Sequence, residues 1–176
     1  MPPLTTDRLI LRRFESADAA DLFAYMHRPS QPCFLSMALA DPAAAQAEVV
    51  RRAGADDAIA VELKENGRLI GDLFAHFEEP DTWSIGWNFN PDFGGAGYAT
   101  EAAQALVAHL FRDRQARRLY AYVEEDNTAS QRLCDRLGMR QEGLFRDFVS
   151  FETDAEDRPI YVDTRQYALL RREWTG

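Results

Sequence analysis

An α/β fold of the α+β kind, with a mixed, mostly antiparallel twisted sheet flanked by about four helices, is predicted from three observations. Between Ala58 and Phe89 three strand-like apolar runs are joined by two short turns, which makes an antiparallel meander. The apolar residues that follow recur at helical spacing over Ala99 to Phe111. After that helix the chain alternates strand and helix and ends in a long hairpin, with no internal repeat and no linker. One domain spanning 1–176 is therefore expected.

Taken in order, Leu9-Ile10-Leu11 before Arg12-Arg13-Phe14 reads as a first strand. Ser16 is placed to cap a helix running to about Met26, with Ala20, Phe23 and Ala24 on one face. Pro29 and Pro32 break that helix, and the segment Cys33-Phe34-Leu35-Ser36-Met37 is irregular and apolar enough to line a cleft. Asp41-Pro42, a cap followed by a first-turn proline, opens a second helix ending near Ala53 before Gly54. Ala58 to Lys64 and Leu69 to Phe77 are strands joined at Asn66-Gly67, and a turn at Pro80-Asp81 leads into Trp83 to Phe89. In the next helix Ala99, Ala102, Ala103, Leu106, Val107, Leu110 and Phe111 trace one face. Leu119 to Val123 is a buried strand, and Asn127 or Thr128 caps a short helix that Gly138 ends. Met139 to Phe151 and Ile160 to Leu170 are two long strands around the acidic turn Thr153 to Pro159.

The bulk composition excludes several classes. A net charge of −9 is wrong for a general nucleic-acid binder, and it obliges any polyphosphate ligand to rely on local donors and a few placed arginines. Cys33 and Cys134 stand far apart, without the spacing of a metal site or a disulfide framework, so a cytoplasmic setting and no metal are expected. Charges interrupt the first fourteen residues, as they do not in a signal peptide, and no apolar run is long enough to span a membrane.

The stretch from Asn90 to Ala102 carries the chemistry. Gly94-Gly95-Ala96-Gly97 stands between an apolar strand and an amphipathic helix, where unpaired N–H groups and the helix dipole favour a phosphate. A Walker loop needs lysine and Ser/Thr after its last glycine, but Tyr98 follows Gly97. A dinucleotide fingerprint would want glycine where Thr100 stands; Glu124 or Glu125 could supply its acidic residue, but an antiparallel meander is the wrong lead-in.

With those look-alikes set aside, Gly95-x-Gly97-Tyr98-Ala99-Thr100-Glu101-Ala102 resembles the acetyl-CoA pyrophosphate loop of the GNAT N-acetyltransferases, most closely their RimJ/RimL-like branch. Asn127-x-x-Ser130-x-x-Leu133-Cys134-x-x-Leu137-Gly138-Met139 is similar to that branch's second motif. Thr6-Asp7-Arg8-Leu9-Ile10-Leu11-Arg12 and Tyr167 to Trp174 resemble its two ends, so the likeness covers nearly the whole chain.

The resemblance implies acetyl-CoA as acyl donor and a primary amine, a peptide N-terminus or a small amine, as acceptor. Backbone N–H groups of Gly95, Ala96, Gly97, Tyr98, Ala99 and Thr100 would hold the pyrophosphate. Asn88, Phe89 and Asn90 would give main-chain contacts to the pantetheine arm, and an N–H near Phe89 would serve the oxyanion. Asn127 either caps its helix, contacts the arm, or does both. Many family members carry a tyrosine as thiolate acid where Cys134 stands here; the resemblance to the RimL-like branch implies the serine at Ser130 for that role, the alternative being a small residue fitted to a helix face. Cys134 itself reads as a buried apolar group.

Asp72, His76 and Glu62 are candidates for a general base, and relatives often carry a glutamate where Ser84 stands. An obvious base is missing, and this fits an α-amine, about 10% neutral at neutral pH, better than a lysine amine at below about 0.1%. Phe34, Leu35, Met37, the turn after Phe77 and the Phe145 to Phe151 strand would build the acceptor site, with Glu152, Asp154, Glu156 and Asp157 nearby as acidic residues of a solvated turn. Dimerisation is common in the family. The alternative is a GNAT-like domain that binds acyl-CoA without catalysis.

Overall fold

Leu4–Thr5 (β1) and Leu9–Arg12 (β2) pair as a small antiparallel hairpin at the start of the computed structural model, which describes residues 2–176. The first of these strands is too short to show as a pattern in the sequence. A 3-10 turn at Ser16–Asp18 leads into α1 (Ala19–Met26). Ser16 does not cap it. Asp18 is the N-cap residue of α1 but makes no side-chain cap bond to it; its carboxylate instead accepts the Glu15 N–H at 2.8 Å, closing the 3-10 turn, and is held by the Arg12 guanidinium at 2.8 Å. With the helix starting three residues later, Leu22, Tyr25 and Met26 are the buried side chains, and Ala20 and Ala24 face outward.

The helix α2 (Pro42–Ala53) begins as expected, with the Asp41 carboxylate accepting the Ala44 N–H at 2.7 Å. The meander follows as β3 (Ala58–Leu63), β4 (Arg68–Glu78) and β5 (Thr82–Phe89). After it come α3 (Tyr98–Arg112), β6 (Arg118–Glu124), α4 (Thr128–Arg136), β7 (Arg140–Thr153) and β8 (Pro159–Leu170). The eight strands form one sheet in the order β1-β2-β3-β4-β5-β6-β8-β7. Its strand pairs are antiparallel except β5–β6. The expected mixed sheet with four flanking α-helices is thus what the chain forms. It is the second strand of the last hairpin that lies beside β6, which puts β7 at the edge.

Two apolar layers cover the sheet. Leu106, Val107, Leu110 and Phe111 of α3 and Leu133 and Cys134 of α4 pack on one face, against Ile85, Leu119, Ala121 and Val123. Leu22, Tyr25 and Met26 of α1 and Ala45 and Val49 of α2 cover the other face over β2 to β4. Trp174 packs on Phe111, ring centroids 5.4 Å apart. No helix of the described residues is long and apolar enough to cross a membrane.

The position of the site follows from one irregularity. The parallel pairing of β5 with β6 covers only Thr82–Ser84 against Arg118–Tyr120. Beyond Ser84 the two strands part, and the sheet opens into a V.

Candidate active site

Strand alternation decides which backbone groups face that opening. The Asn90 N–H donates to the Ile70 carbonyl at 3.0 Å, so Asn90 turns its main chain toward β4, and Asn88 and Gly86 do the same by parity. Trp87 and Phe89 then present their N–H and C=O groups to the V. On the other arm the Glu125 N–H donates to the Asp163 carbonyl and the Arg117 carbonyl accepts from Arg171, so the main chains of Tyr122 and Glu124 face inward. A cleft of about 1170 Å3 fills the V and runs from Phe74, Cys33 and Phe34 at one end to Gly95, Gly97 and Thr100 at the other.

The glycine loop closes that second end. Pro91–Phe93 form a 3-10 turn capped by the Asn90 side chain, which accepts the Asp92 N–H at 3.0 Å. The chain then needs left-handed backbone at Gly95 (φ +78°) and at Gly97 (φ +83°), the N-cap of α3. A side chain at either position would disfavour that conformation by about 1–2 kcal/mol. Gly97 caps α3 without a side-chain acceptor, and the first helical bond is Glu101 N–H to the Gly97 carbonyl at 3.1 Å. The six consecutive N–H groups from Gly95 to Thr100 therefore have no acceptor among the described residues. They lie at the mouth of α3, where the helix dipole places about half a positive charge.

Arginines brace this loop in a chain of net negative charge. Arg8 donates to the Ala96 carbonyl at 2.9 Å, lies 4.5 Å over the Tyr98 ring, and pairs with Glu101 at 2.7 Å. Glu101 also accepts the Thr6 hydroxyl at 2.5 Å and the Arg8 N–H at 2.9 Å. Burial pushes the Glu101 carboxyl up, but these three donors outweigh it and hold the group below its ordinary range. Arg136 of α4 reaches Thr100 Oγ1 at 3.1 Å and lines the cleft beside it.

At the middle of the V, Asn127 accepts the Ser130 N–H at 3.1 Å through Oδ1, the N-cap of α4. Its amide nitrogen has no partner among the described residues, and the residue lines the cleft. The Trp87 indole N–H donates to Ser130 Oγ at 3.0 Å, which leaves the serine's own hydrogen without an acceptor among the described residues. A hydroxyl that accepts one hydrogen bond is a better donor for a second. Cys134 is fully buried in the core, where burial pushes its thiol up to about 12; burial, then the Glu124 carboxylate beside it, push the Cys33 thiol to about 12 as well.

Of the anticipated site residues, Asn88, Phe89, Gly95, Gly97, Tyr98, Ala99, Thr100, Asn127 and Ser130 line the one cleft. Ala96 lies in the loop with its carbonyl held by Arg8. Asn90 stands apart: it is 3% exposed, its N–H bonds Ile70 and its carbonyl accepts Phe93, so neither is free for a ligand. The Asn88 main chain turns away by the same parity, and its side chain donates to Met26 Sδ at 3.0 Å. Trp87, with Phe89, occupies the main-chain position expected for them.

The three anticipated bases lie outside the cleft. Asp72 is buried under α1 and α2, accepting the Tyr25 hydroxyl at 2.7 Å and pairing with Arg52 at 3.0 Å. Glu62 pairs with Arg12 at 2.6 Å, and His76 stands at the surface 3.5 Å from Asp57. Arg8, Arg136, Trp87, Tyr122, Phe74 and Glu124 are among the cleft residues to which the sequence assigns no role in acetyl transfer. Arg8 sits inside the opening motif, which is the one signal that could have found it. The Trp87–Ser130 contact joins residues 43 apart in sequence, and no spacing encodes it.

Comparison with known proteins agrees with this geometry. Residues 8–140 match the family model described as acetyltransferase (GNAT) domain. The chain is 30% identical, over 97% of its length and 98% of the relative's, to the uncharacterized N-acetyltransferase YnaD of Bacillus subtilis (strain 168). The crystal structure of a GNAT-family acetyltransferase from Bacillus anthracis superposes with a TM-score of 0.87 at 27% identity, covering 97% of this chain and 99% of that one. Mycobacterium smegmatis RimJ, solved in complex with CoA-disulfide, shares the fold with a TM-score of 0.71 at 22% identity, covering 96% of this chain and 84% of that one.

Proposed function

The chain belongs to the GNAT acetyltransferase family, and on that premise we propose that it transfers an acetyl group from acetyl-CoA to a primary amine by direct attack on the thioester. The whole chain, 1–176, forms one N-acetyltransferase domain in this reading. The observation that carries it is the run of six acceptorless N–H groups from Gly95 to Thr100, continuous with a free main-chain edge at Trp87 and Phe89. An anion at the helix mouth and an extended amide-bearing arm along a strand edge are what these two features bind. The pyrophosphate and pantetheine of acetyl-CoA join both chemistries in one ligand.

In the proposed reaction the neutral amine nitrogen attacks the thioester carbon. The N–H of Phe89 or Trp87 on the free edge would stabilise the oxyanion, being fixed by the sheet before the charge develops. Collapse breaks the C–S bond; Ser130, whose hydrogen is the uncommitted one, passes that proton to the departing CoA thiolate and is restored by the proton the amine nitrogen releases, so the products are the amide and the free thiol. The raised thiols of Cys33 and Cys134 argue against an acyl-cysteine intermediate, because neither is ionised at neutral pH.

The test is release of free thiol from acetyl-CoA in the presence of primary amines, with the N-acetylated product identified by mass. Thiol release that depends on the amine supports the proposal. Tight CoA binding with no transfer to any amine would favour a non-catalytic acyl-CoA-binding domain instead.

A further inference from the structure

The far end of the cleft, away from the phosphate loop, is lined by Phe34, Phe74, Tyr122 and one carboxylate, Glu124. Tyr122 lines the cleft on the inner arm of β6, and Glu124, two residues on, projects from the same face. The register carries that face outward: Glu124 pairs with Thr164, and Thr164 with Phe145. Strand alternation would send Phe148 to the opposite face from Phe145. It does not, because β7 breaks register between Phe145 and Val149. Asp147 there adopts φ +47°, its N–H donating to Asp163 Oδ1 at 2.8 Å, while Arg146 pairs with the same carboxylate. Bulges of this kind re-aim a side chain. The result is a contiguous set of rings, with Tyr122 5.5 Å from Phe148 and 6.0 Å from Phe145, and those two 5.0 Å apart.

On the opposite arm Phe74 lies across Gly86, where a Cβ would stand 2.1 Å from its ring. Phe74 and Tyr122 line the cleft, Phe145 and Phe148 stand against Tyr122 at its edge, and all four rings remain between 37% and 48% exposed. Large apolar groups gathered at one mouth, not scattered over the surface, mark a recognition site. Within it Glu124 is in no ion pair among the described residues, whereas its neighbour Glu125 is paired with Arg165 at 2.8 Å. Phe74, Phe145 and Phe148 carry no hydrogen-bonding group, and the Tyr122 hydroxyl accepts from Gln166.

Building on the acetyl-transfer reading, we propose that this end of the cleft is the acceptor subsite, and that it takes a small amine borne on a flat aromatic body. Glu124 receives the ammonium group, and Tyr122, Phe145, Phe148 and Phe74 enclose the ring. The cation and the flat apolar body are the two features this wall recognises together.

The full chain is assayed for thiol release from acetyl-CoA with 2-phenylethylamine, n-butylamine and an alanyl peptide. The expected result is a kcat/KM for 2-phenylethylamine about tenfold above that for n-butylamine, a gap that Phe148→Ala removes by slowing only the aromatic amine. Glu124→Gln is expected to raise the KM for both small amines by about tenfold while leaving the KM for acetyl-CoA unchanged. Equal or faster turnover of n-butylamine or of the peptide, or an unchanged amine KM in Glu124→Gln, overturns the proposal. If no amine is acetylated, the transfer reading itself fails. In that case calorimetric titration of 2-phenylethylamine into the CoA complex reads the subsite directly: binding that Glu124→Gln abolishes sustains the proposal, and no binding overturns it.

Discussion

Replacing Gly97 separates the phosphate-loop reading from a general need for glycine. Gly97 holds φ +83° as the N-cap of α3, and a Cβ there would meet only Arg8 Nη2, at 3.6 Å, an ordinary contact. Gly97→Ala therefore introduces backbone strain of about 1–2 kcal/mol without a clash inside the protein. If the loop relieves that strain by turning, the N–H groups of Gly97 to Thr100 lose their common aim. Charge-assisted bonds of this kind contribute about 1.5–3 kcal/mol each, so losing one weakens CoA by about tenfold to a hundredfold. Gly97→Val, β-branched at a left-handed position, is expected to weaken it further. Gly67 supplies the control, with φ +69° in the β3–β4 turn and nothing within 4 Å of its added Cβ. Gly67→Ala should lower the melting temperature by a similar few degrees, about 2–4 °C per kcal/mol for a chain of this size, and leave CoA binding alone. Calorimetric titration with CoA reads both variants. Wild-type affinity in Gly97→Val, or an equal loss in Gly67→Ala, would refute the reasoning.

Three further outcomes follow from the same geometry. Ser130→Ala should lower kcat by about a hundredfold with the acetyl-CoA KM unchanged, and Trp87→Phe, which removes the indole donor at 3.0 Å, should lower it less; wild-type turnover in Ser130→Ala would remove the acid role. Asp72→Asn should leave kcat unchanged, since its carboxylate lies under the helices and not in the cleft, whereas Arg52→Ala should destabilise by about 3–5 kcal/mol in denaturant unfolding by stranding Asp72. Glu101 has a depressed folded-state pKa, so its contribution to stability is present above the unfolded value near about 4.3 and is lost as pH falls through the folded value. The melting temperature of Glu101→Gln should accordingly lie below wild type at neutral pH, and the gap should close in acid; a gap independent of pH would contradict the assignment.

Most of the fold was legible because local chemistry dictates it. The Asp41-Pro42 cap, the Asn66-Gly67 turn, the helical spacing over Ala99 to Phe111 and the Gly138 stop each act within a few residues, and the elements formed where those signals stand. The exceptions are long-range. Ser16 falls inside a 3-10 turn and α1 starts three residues later, where Asp18 is held by Arg12 of β2. The parting of β5 from β6 after Ser84 depends on how two strands far apart in sequence meet, and nothing in either strand announces it.

The candidate site divides the same way. The glycine loop and the Asn127–Ser130 cap are contiguous motifs and could be quoted from the sequence. Of the base candidates, Asp72 and His76 share a face of β4 by strand alternation, and Glu62 stands on β3. Asp72 does project from one face of β4, but α1 and α2 cover that face and bring Arg52 to it. In the sequence Glu124 fits only a dinucleotide pattern; the opened sheet brings it into the cleft with Tyr122 and, through Thr164, into register with Phe145. Main-chain parity reassigned the strand-edge contacts from Asn88 and Asn90 to Trp87 and Phe89, because it depends on the register with β4, fixed here by the Asn90–Ile70 bond.

Crystallography of the chain with bound CoA addresses the phosphate loop most directly. The prediction is that the pyrophosphate oxygens sit within about 3 Å of main-chain nitrogens between Gly95 and Thr100, with the pantetheine arm along the Trp87–Phe89 edge. Electron density for CoA that leaves those N–H groups to solvent, or places the arm elsewhere than the opening between β5 and β6, would contradict it.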